Sequence, residues 1–299
     1  MKEMKGMNIK TCPVCGNILD AEGLKVKDYS VSGEVFEICT CRHCTFSFTQ
    51  PQPEPSAIGK YYQTEDYISH SDTKQGMVNR MYHLVRKKNT NDKLDLINRL
   101  AKKPASLLDV GCGTGYFLSV CRQKAWKTEG VEISDVARRM AEQRTGQAIY
   151  PSLDALTATG KQFDVITLWH VFEHLHDINA SFLQLSQLLQ PQGTLIFALP
   201  NLCCADALHY QEFWAAYDVP RHLSHFNPVS LRRLVEKHGM KIEQILPMKM
   251  DAYYISMLSE KLKNTAFWGL LKAVWYGWQS NCRAKKDGNY SSLIYIIKK

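Results

Sequence analysis

Two pairs of cysteines and one run of glycines carry the chemistry that this sequence can do. Cys12-Pro-Val-Cys15-Gly and Cys41-Arg-His-Cys44 are two C-x2-C turns. One short turn presents two sulfurs, so two turns together supply the four thiolates of a tetrahedral metal site. The gap from Cys15 to Cys41 suits a hairpin of strands. A region of roughly 40 residues with few large apolar groups cannot bury a stable core without such a staple. The pattern predicts structural Zn2+ on Cys12, Cys15, Cys41 and Cys44. Cys39 is spare, because a C-x-C ligand pair would strain the turn, and Cys112, Cys121, Cys203, Cys204 and Cys282 read as packing residues.

The glycines lie in "LLDVGCGTGYFL" (107–118), where strand-like residues run into Asp109, Gly111, Gly113 and Gly115, followed by an apolar helix start. A phosphate-binding P-loop needs Lys-Ser or Lys-Thr after its last glycine, and here Tyr116 and Phe117 follow. A dinucleotide fingerprint needs G-x-G-x-x-G, and its third glycine would fall at Tyr116. What remains is D-x-G-x-G-x-G. Glycines let a ligand approach the backbone, and the helix starting near Gly115 offers N–H groups to an anion such as a carboxylate. "GVEIS" then puts Glu132 at the end of the next strand, 21 residues after Gly111. A carboxylate there can accept from both hydroxyls of a ribose.

The elements that position these residues alternate. Candidate strands are "SLLDV" (106–110), "KTEGVEI" (127–133), "QAIY" (147–150), "FDVITLW" (163–169), "TLIFAL" (194–199), "KIEQILPM" (241–248) and "SSLIYIIKK" (291–299). Segments such as "YFLSVCRQKAW" and "NASFLQLSQLL" between the first five read as helices. This predicts an α/β fold with a parallel sheet covered on both faces. Residues 1–50 form the cysteine-rich module. Residues 51–103 form a connector, opened by the proline-rich "TQPQPEPS" and ending in a basic helix. Residues 104–299 form the alternating domain, with a long insertion around 201–228.

The motif Asp109, Gly111, Gly113, Gly115 resembles the first motif of class I S-adenosylmethionine methyltransferases. "CPVCG", "CRHCTFSFTQPQPEP", "LDVGCGTG", "VFEHLHD" and "PRHLSHFNPVSLRRLVEKHGM" together resemble bacterial members that carry an N-terminal zinc ribbon and are associated with sugar or polysaccharide pathways. The resemblance covers about 50–250 and implies a Rossmann-like seven-stranded sheet closed by an antiparallel last strand. It implies S-adenosylmethionine as cofactor. Asp109 would act on the methionine ammonium, directly or through water, and Glu132 on the ribose. Gly111, Cys112, Gly113, Gly115, Tyr116, Phe117 and Ile133 complete the cradle. Leu153 and Asp154 would meet the adenine, and Trp169 and His170 the sulfonium side. Asp154 has a plainer reading as a helix cap.

Methyl transfer is an in-line displacement, so the protein mainly aligns the partners and excludes water. A base is needed where the acceptor's proton must leave, and it belongs beyond the fifth strand at the carboxyl edge of the sheet. The insertion there is long enough for a lid and holds His209, Tyr210, Trp214, Tyr217, Asp218, Arg221, His222 and His225. An imidazole suits removal of a hydroxyl proton. His222 is the expected base, with Tyr217, Asp218 and Arg221 shaping its surroundings; the plainer reading makes the histidines hydrogen-bonding links within the lid. His170-x-x-Glu173-His174 resembles the Glu-x-x-Glu-His of ubiquinone-biosynthesis O-methyltransferases, which can hold a divalent metal; sheet-edge packing is the more ordinary reading.

The chain has 299 residues, 45% of them hydrophobic and 22% charged, with a net charge of +8 from 37 basic and 29 acidic residues. That balance is too mild to demand nucleic acid. The polar stretch 1–10 has no apolar core for a secretory signal, and no window reaches the ~18 apolar residues of a spanning helix. A cytoplasmic enzyme on a small-molecule acceptor, monomeric or homodimeric, is the expectation, with oxygen as the default target and a nucleotide-linked or polysaccharide-pathway sugar as one acceptor class. An RNA methyltransferase is the alternative, kept by Arg86, Lys87, Lys88, Lys102 and Lys103 but lacking an Asn/Asp-Pro-Pro-aromatic motif after strand four. A non-catalytic cofactor-binding adaptor is a third reading. "FWGLLKAVWYGWQSNCRAKK" (267–286) reads as packing on the sheet or a partner subunit, with peripheral contact to a membrane surface as its second reading.

Overall fold

The computed structural model describes residues 6–19, 23–62, 77–101, 105–265 and 268–299, with the backbone alone over 77–85. The first residues of the 1–10 stretch, the part of the 51–103 connector between 63 and 76, Lys102, Lys103 and Phe267 lie outside the described residues. Along the chain, the strands are β1 (Leu24–Lys27), β2 (Val35–Thr40), β3 (Ser47–Gln50), β4 (Ser106–Val110), β5 (Lys127–Val131), β6 (Phe163–Trp169), β7 (Leu189–Pro200), β8 (Ser224–His225), β9 (Lys241–Pro247) and β10 (Ser292–Lys298). They form a four-stranded sheet in the order β1-β2-β3-β8 and a six-stranded sheet in the order β5-β4-β6-β7-β10-β9. The result is the expected α/β, Rossmann-like architecture with a small cysteine-bearing sheet.

The chain folds into two compact units whose segments alternate in sequence. One is Met1–Ile68, Phe172–Asn179 and Ala198–Tyr295; the other is Ser69–Val171, Ala180–Phe197 and Ile296–Lys299.

The second unit contains the glycine loop. β4 pairs in parallel with β5 from Ser106↔Lys127 to Val110↔Val131, and with β6 from Leu107↔Val165 to Val110↔Leu168. Leu107, Leu108, Val165, Ile166 and Leu168 are fully buried, as a parallel sheet covered on both faces requires. The chain leaves β4 to build β5 on one side and returns to build β6 on the other, so a crevice opens at the carboxyl end of β4. Ser134 caps the helix Asp135–Thr145 by accepting from the Ala137 N–H, and Gly146 ends it in the left-handed region.

At the seventh strand position there is only a bridge. Tyr150 N–H donates to the Gly130 carbonyl at 2.9 Å and Glu132 N–H to the Tyr150 carbonyl at 2.9 Å. Pairing stops there because Ser152, the next residue that could bond β5, already caps the helix Leu153–Thr157.

In the first unit, β1 and β2 form a hairpin whose turn is tied by the Asp28 carboxylate, which accepts from the N–H groups of Ser30, Val31 and Ser32. β3 then pairs antiparallel with β8, Ser47 opposite His225 and Phe48 opposite Ser224. Phe46 packs on Phe226 with ring centroids 5.3 Å apart. A single core joins Phe36 and Ile38 of β2 to Trp214, Tyr217 and Val219 of the 201–228 segment. Residues 1–50 and the insertion therefore share one hydrophobic interior within this unit. Beneath it, the buried Asp206 carboxylate accepts from Trp214 Nε1 at 2.9 Å, Ser280 Oγ at 2.7 Å and Ser291 Oγ at 2.6 Å. Asn227 opens the helix Pro228–Lys237 with a reciprocal capping box to Ser230, and two helices, Asp251–Leu262 and Gly269–Asp287, pack side by side.

Candidate functional site

The crevice of the second unit collects the residues expected to hold a nucleoside. The loop needs left-handed backbone at Gly113 (φ 54°) and Gly115 (φ 72°), where a side chain is strained. At Gly115 a Cβ would also lie 2.9 Å from Ala141 Cα, so glycine lets the first helix approach its neighbour. A Cβ at Gly113 would meet nothing within 4 Å, so the loop faces open space there. No side chain caps the helix Tyr116–Gln123. Its first N–H groups are thus left to a ligand or water.

Two carboxylates flank this opening. Glu132 is buried, its Oε2 accepting from Gly113 N–H and its Oε1 from Ser134 N–H, both at 2.8 Å. Each oxygen keeps a further lone pair for a ribose hydroxyl. Asp109 is 3% exposed and accepts from Thr167 Oγ1 at 2.7 Å. Burial pushes its carboxyl up to about 6, the Glu132 charge adds to the rise, and the Thr167 bond and Lys93 oppose it. A buried carboxyl so poised ionises more readily when a ligand brings a cation.

The surrounding residues have different parts. Ile133 is 83% exposed, an apolar side chain standing free at the end of β5. Phe117 is buried and meets Trp169 edge-on at 6.0 Å, with Lys93 Nζ 4.4 Å from the Trp169 ring centre. Trp169 Nε1 is buried and has no hydrogen-bond partner among the described residues. Tyr116 lies under the Arg86 guanidinium at 4.1 Å. The Cys112 side chain is buried, so only its backbone is offered to the loop. Ser152, not Asp154, caps the short helix Leu153–Thr157; Asp154 is exposed and accepts from Gln184. His170 sits at the end of β6 with φ 55°, a conformation costly for a non-glycine residue. The paired carboxylates, the open loop and the orphaned indole N–H fit a nucleoside carrying an ammonium group.

The first unit holds two further clusters. Cys12, Cys15, Cys41 and Cys44 bring their sulfurs within 4.8 Å of one another, with Cys12–Cys44 at 3.4 Å and Cys15–Cys41 at 3.6 Å. Tetrahedral zinc with ~2.3 Å bonds separates its sulfurs by about 3.8 Å, so this cluster is the right size for one ion. Each turn is closed by backbone bonds, Gly16 N–H to the Cys12 carbonyl and Thr45 N–H to the Cys41 carbonyl. Cys39 is outside the group, on β2, beside the Gln50 amide.

The four residues expected around a base come together. His222 is buried, and its Nδ1 lies 2.9 Å from the Ala216 carbonyl. A carbonyl only accepts, so Nδ1 carries a proton and donates to it, which turns Nε2 toward Asp218. Nε2 is 3.7 Å from Asp218 Oδ2, and Arg221 ion-pairs with the same carboxylate. Burial would raise the Asp218 carboxyl, but His222 and Arg221 hold it below its usual range. Tyr217 packs edge-on to Trp214 and His225, and burial pushes its phenol up to about 12, which excludes it as a base near neutrality. His225 Nε2 lies 2.9 Å from Thr49 Oγ1, which itself donates to the His222 carbonyl. His174 Nδ1 is 3.0 Å from both the Arg221 carbonyl and the Tyr62 hydroxyl. Burial lowers His174 to about 4 and His225 to about 3. The group able to take a cation here is Glu173, His174 and His222; His170 is not in it.

Several participants escaped the reading of the sequence. Thr167 left a signal, a hydroxyl inside the apolar run "FDVITLW" and in register with Asp109. Lys93, Thr49 and Tyr62 left none, because nothing local marks them.

A family model described as a methyltransferase domain matches residues 83–245. A ubiquinone biosynthesis O-methyltransferase of Coxiella burnetii is 30% identical over 109 residues, 34% of this chain and 47% of that protein. A malonyl-[acyl-carrier protein] O-methyltransferase of Serratia marcescens is 24% identical over 126 residues, 42% of this chain and 49% of that protein. The chain spans about half the length of the curated relatives it matches. Among solved structures, magnesium protoporphyrin IX methyltransferase from Synechocystis with bound SAH is similar in fold, with a TM-score of 0.52 and 13% identity over 80% of this chain and 97% of that one.

Proposed function

We propose a methyl-transfer function from the premise that this chain belongs to the methyltransferase-domain family, whose model matches residues 83–245. The cofactor is S-adenosylmethionine and the acceptor an oxygen of a small molecule, a nucleotide-linked or polysaccharide-pathway sugar being the class proposed. One observation carries this reading: two buried carboxylates, Asp109 and Glu132, flank a loop left open at Gly113. Both kinds of named relative above are O-methyltransferases, which supports oxygen as the target.

When bound, S-adenosylmethionine supplies a methyl group already activated by positive sulfur. The chain's own residues bind, orient and shield. Glu132 accepts from the ribose hydroxyls and Asp109 balances the ammonium. Gly113 admits the ligand to the backbone, with Gly111, Cys112, Gly115, Tyr116 and Phe117 in the same turn and helix start. Ile133, Leu153 and Asp154 are proposed for the adenine, and Trp169 and His170 for the sulfonium side. His222 is proposed as the base that receives the acceptor's proton at Nε2, with Asp218 and Arg221 balancing the imidazolium charge and Tyr217 packing the wall. Cys12, Cys15, Cys41 and Cys44 would hold one structural Zn2+. The segments 1–50, 51–103 and 104–299 are proposed as metal module, connector and cofactor-binding domain.

Calorimetry with S-adenosylmethionine and S-adenosylhomocysteine on metal-replete protein tests the premise: absence of heat with both removes the reading. With an acceptor in hand, His222→Ala is expected to lower turnover by about 10²–10⁴-fold while leaving cofactor affinity unchanged. Near-normal turnover would remove His222 from its role.

A further inference from the structure

The helix Gly269–Asp287 is built inside out. Its buried face carries Ala273, Gly277, Ser280, Asn281 and Ala284, all small or polar. A Cβ at Gly277 would lie 2.8 Å from the Tyr253 ring and 2.9 Å from its Cα, so the close packing itself selects small residues. The large apolar side chains point the other way. Trp268, Leu270, Leu271, Val274, Trp275 and Trp278 are 49–64% exposed, and Met250, Tyr254 and Met257 along the neighbouring helix are 42–55% exposed. A globular helix normally turns such residues inward. Three of the six tryptophans of the chain stand on this one surface. They follow helical spacing: 268, 271, 275 and 278 form one stripe, which continues to Lys285 and Lys286.

The charges choose between occupants. Residues 249–287 contain seven basic side chains and three acidic ones, Asp251, the buried Glu260 and Asp287. Before Asp287, every charge on the helix Gly269–Asp287 is positive: Lys272, Arg283, Lys285 and Lys286. A second copy of the chain would have to pack this face against itself, with basic residues in excess over Asp251 and Asp287 on both sides. An anionic bilayer meets both features, phosphates for the lysines and arginine and the headgroup–acyl boundary for indole rings. No helix of the described residues is long and apolar enough to cross a membrane, so the helix would lie along the surface.

We propose that the hairpin Asp251–Asp287 docks the protein, tryptophan face down, on the surface of an anionic phospholipid bilayer. The inference is independent of the methyl-transfer reading, because it uses none of the residues of the crevice or the base cluster.

The test is flotation of the full chain with vesicles of phosphatidylcholine, with and without phosphatidylglycerol, while tryptophan emission is followed. The protein is expected to float with the anionic vesicles at low salt, with its emission moving to the blue, and to be released as salt is raised. The triple variant Trp268→Gln, Trp275→Gln, Trp278→Gln is expected to stay at the bottom with an unchanged melting temperature, since all three rings are exposed. Lys285→Gln and Lys286→Gln should each weaken partitioning about fivefold. Failure to float with anionic vesicles overturns the proposal, and so does flotation that survives the triple substitution. A stable dimer by light scattering, with its tryptophans shielded from quencher and no vesicle binding, assigns the face to a second copy and overturns it too.

Discussion

Lowering the pH from 7 to 5 should weaken cofactor binding in a way set by Asp109. The carboxyl is 3% exposed and raised to about 6, chiefly by burial. A group of that pKa is about nine-tenths ionised at pH 7 and about one-tenth at pH 5, so an ammonium-bearing ligand that needs the carboxylate loses about tenfold in affinity across the window. The ligand ammonium stays protonated throughout, and His174 and His225 titrate at about 4 and about 3, below the window. Asp109→Asn removes a charged contact worth about 1.5–3 kcal/mol, or about 10- to 150-fold in affinity at pH 7, and should flatten the pH curve. The same substitution has a second consequence, of opposite sign. A carboxyl raised from 3.8 to about 6 leaves the native chain holding more protons than the unfolded one between those values. The stability it contributes is present below 3.8 and lost as pH rises through about 6. The ligand-free Asn variant should therefore be more stable than the parent at pH 7, by up to about 3 kcal/mol. Calorimetry with S-adenosylhomocysteine at pH 5, 6 and 7, with urea melts of both ligand-free proteins, measures each part. Affinity that is flat with pH in the parent, or equal in parent and Asn variant, refutes the reasoning.

Other outcomes follow from the first unit. Asp206→Ala should cost about 3 kcal/mol or more, because it strands Trp214 Nε1 and the hydroxyls of Ser280 and Ser291 inside the core; a thermal melt shifted by less than the error would show the network to be idle. His225 is lowered to about 3 by burial, so the unfolded chain takes up the proton first and stability falls as pH drops below about 6.5. Its share of the loss is about 2 kcal/mol at pH 5, read from urea midpoints, and His225→Gln should remove that share while the one due to His174 persists. Purified protein should contain one zinc per chain by elemental analysis. Cys44→Ser or a strong chelator should release it and unfold the β1–β3 sheet by circular dichroism, whereas a full, unshifted melt without metal would assign the thiols to packing alone.

The parts of the site that were legible in the sequence are those whose geometry is local. A strand, a glycine turn and a helix within a dozen residues, with an acid at the next strand end, can be read in one dimension because each neighbour constrains the next. The two C-x2-C turns are readable for the same reason. The strand "QAIY" was legible as β-forming, but its pairing ends after one bridge because the chain turns at Ser152 into the helix Leu153–Thr157. The extent of the cysteine module was not legible either. β3 completes its sheet with β8, and Thr49 bonds His222 and His225 across more than 170 residues.

The linear chain by itself determined the fold class, the thiolate quartet and the open, acid-flanked loop, because backbone conformation and short-range spacing are properties of adjacent residues. Only the tertiary structure decided that Asp109 is buried against Thr167 and so raised in pKa. It alone set His222 between Ala216 and Asp218, and turned the tryptophans of the Gly269–Asp287 helix outward. Burial, electrostatic environment and the choice of buried face depend on which distant segments meet, and no periodicity in a single sequence encodes that meeting.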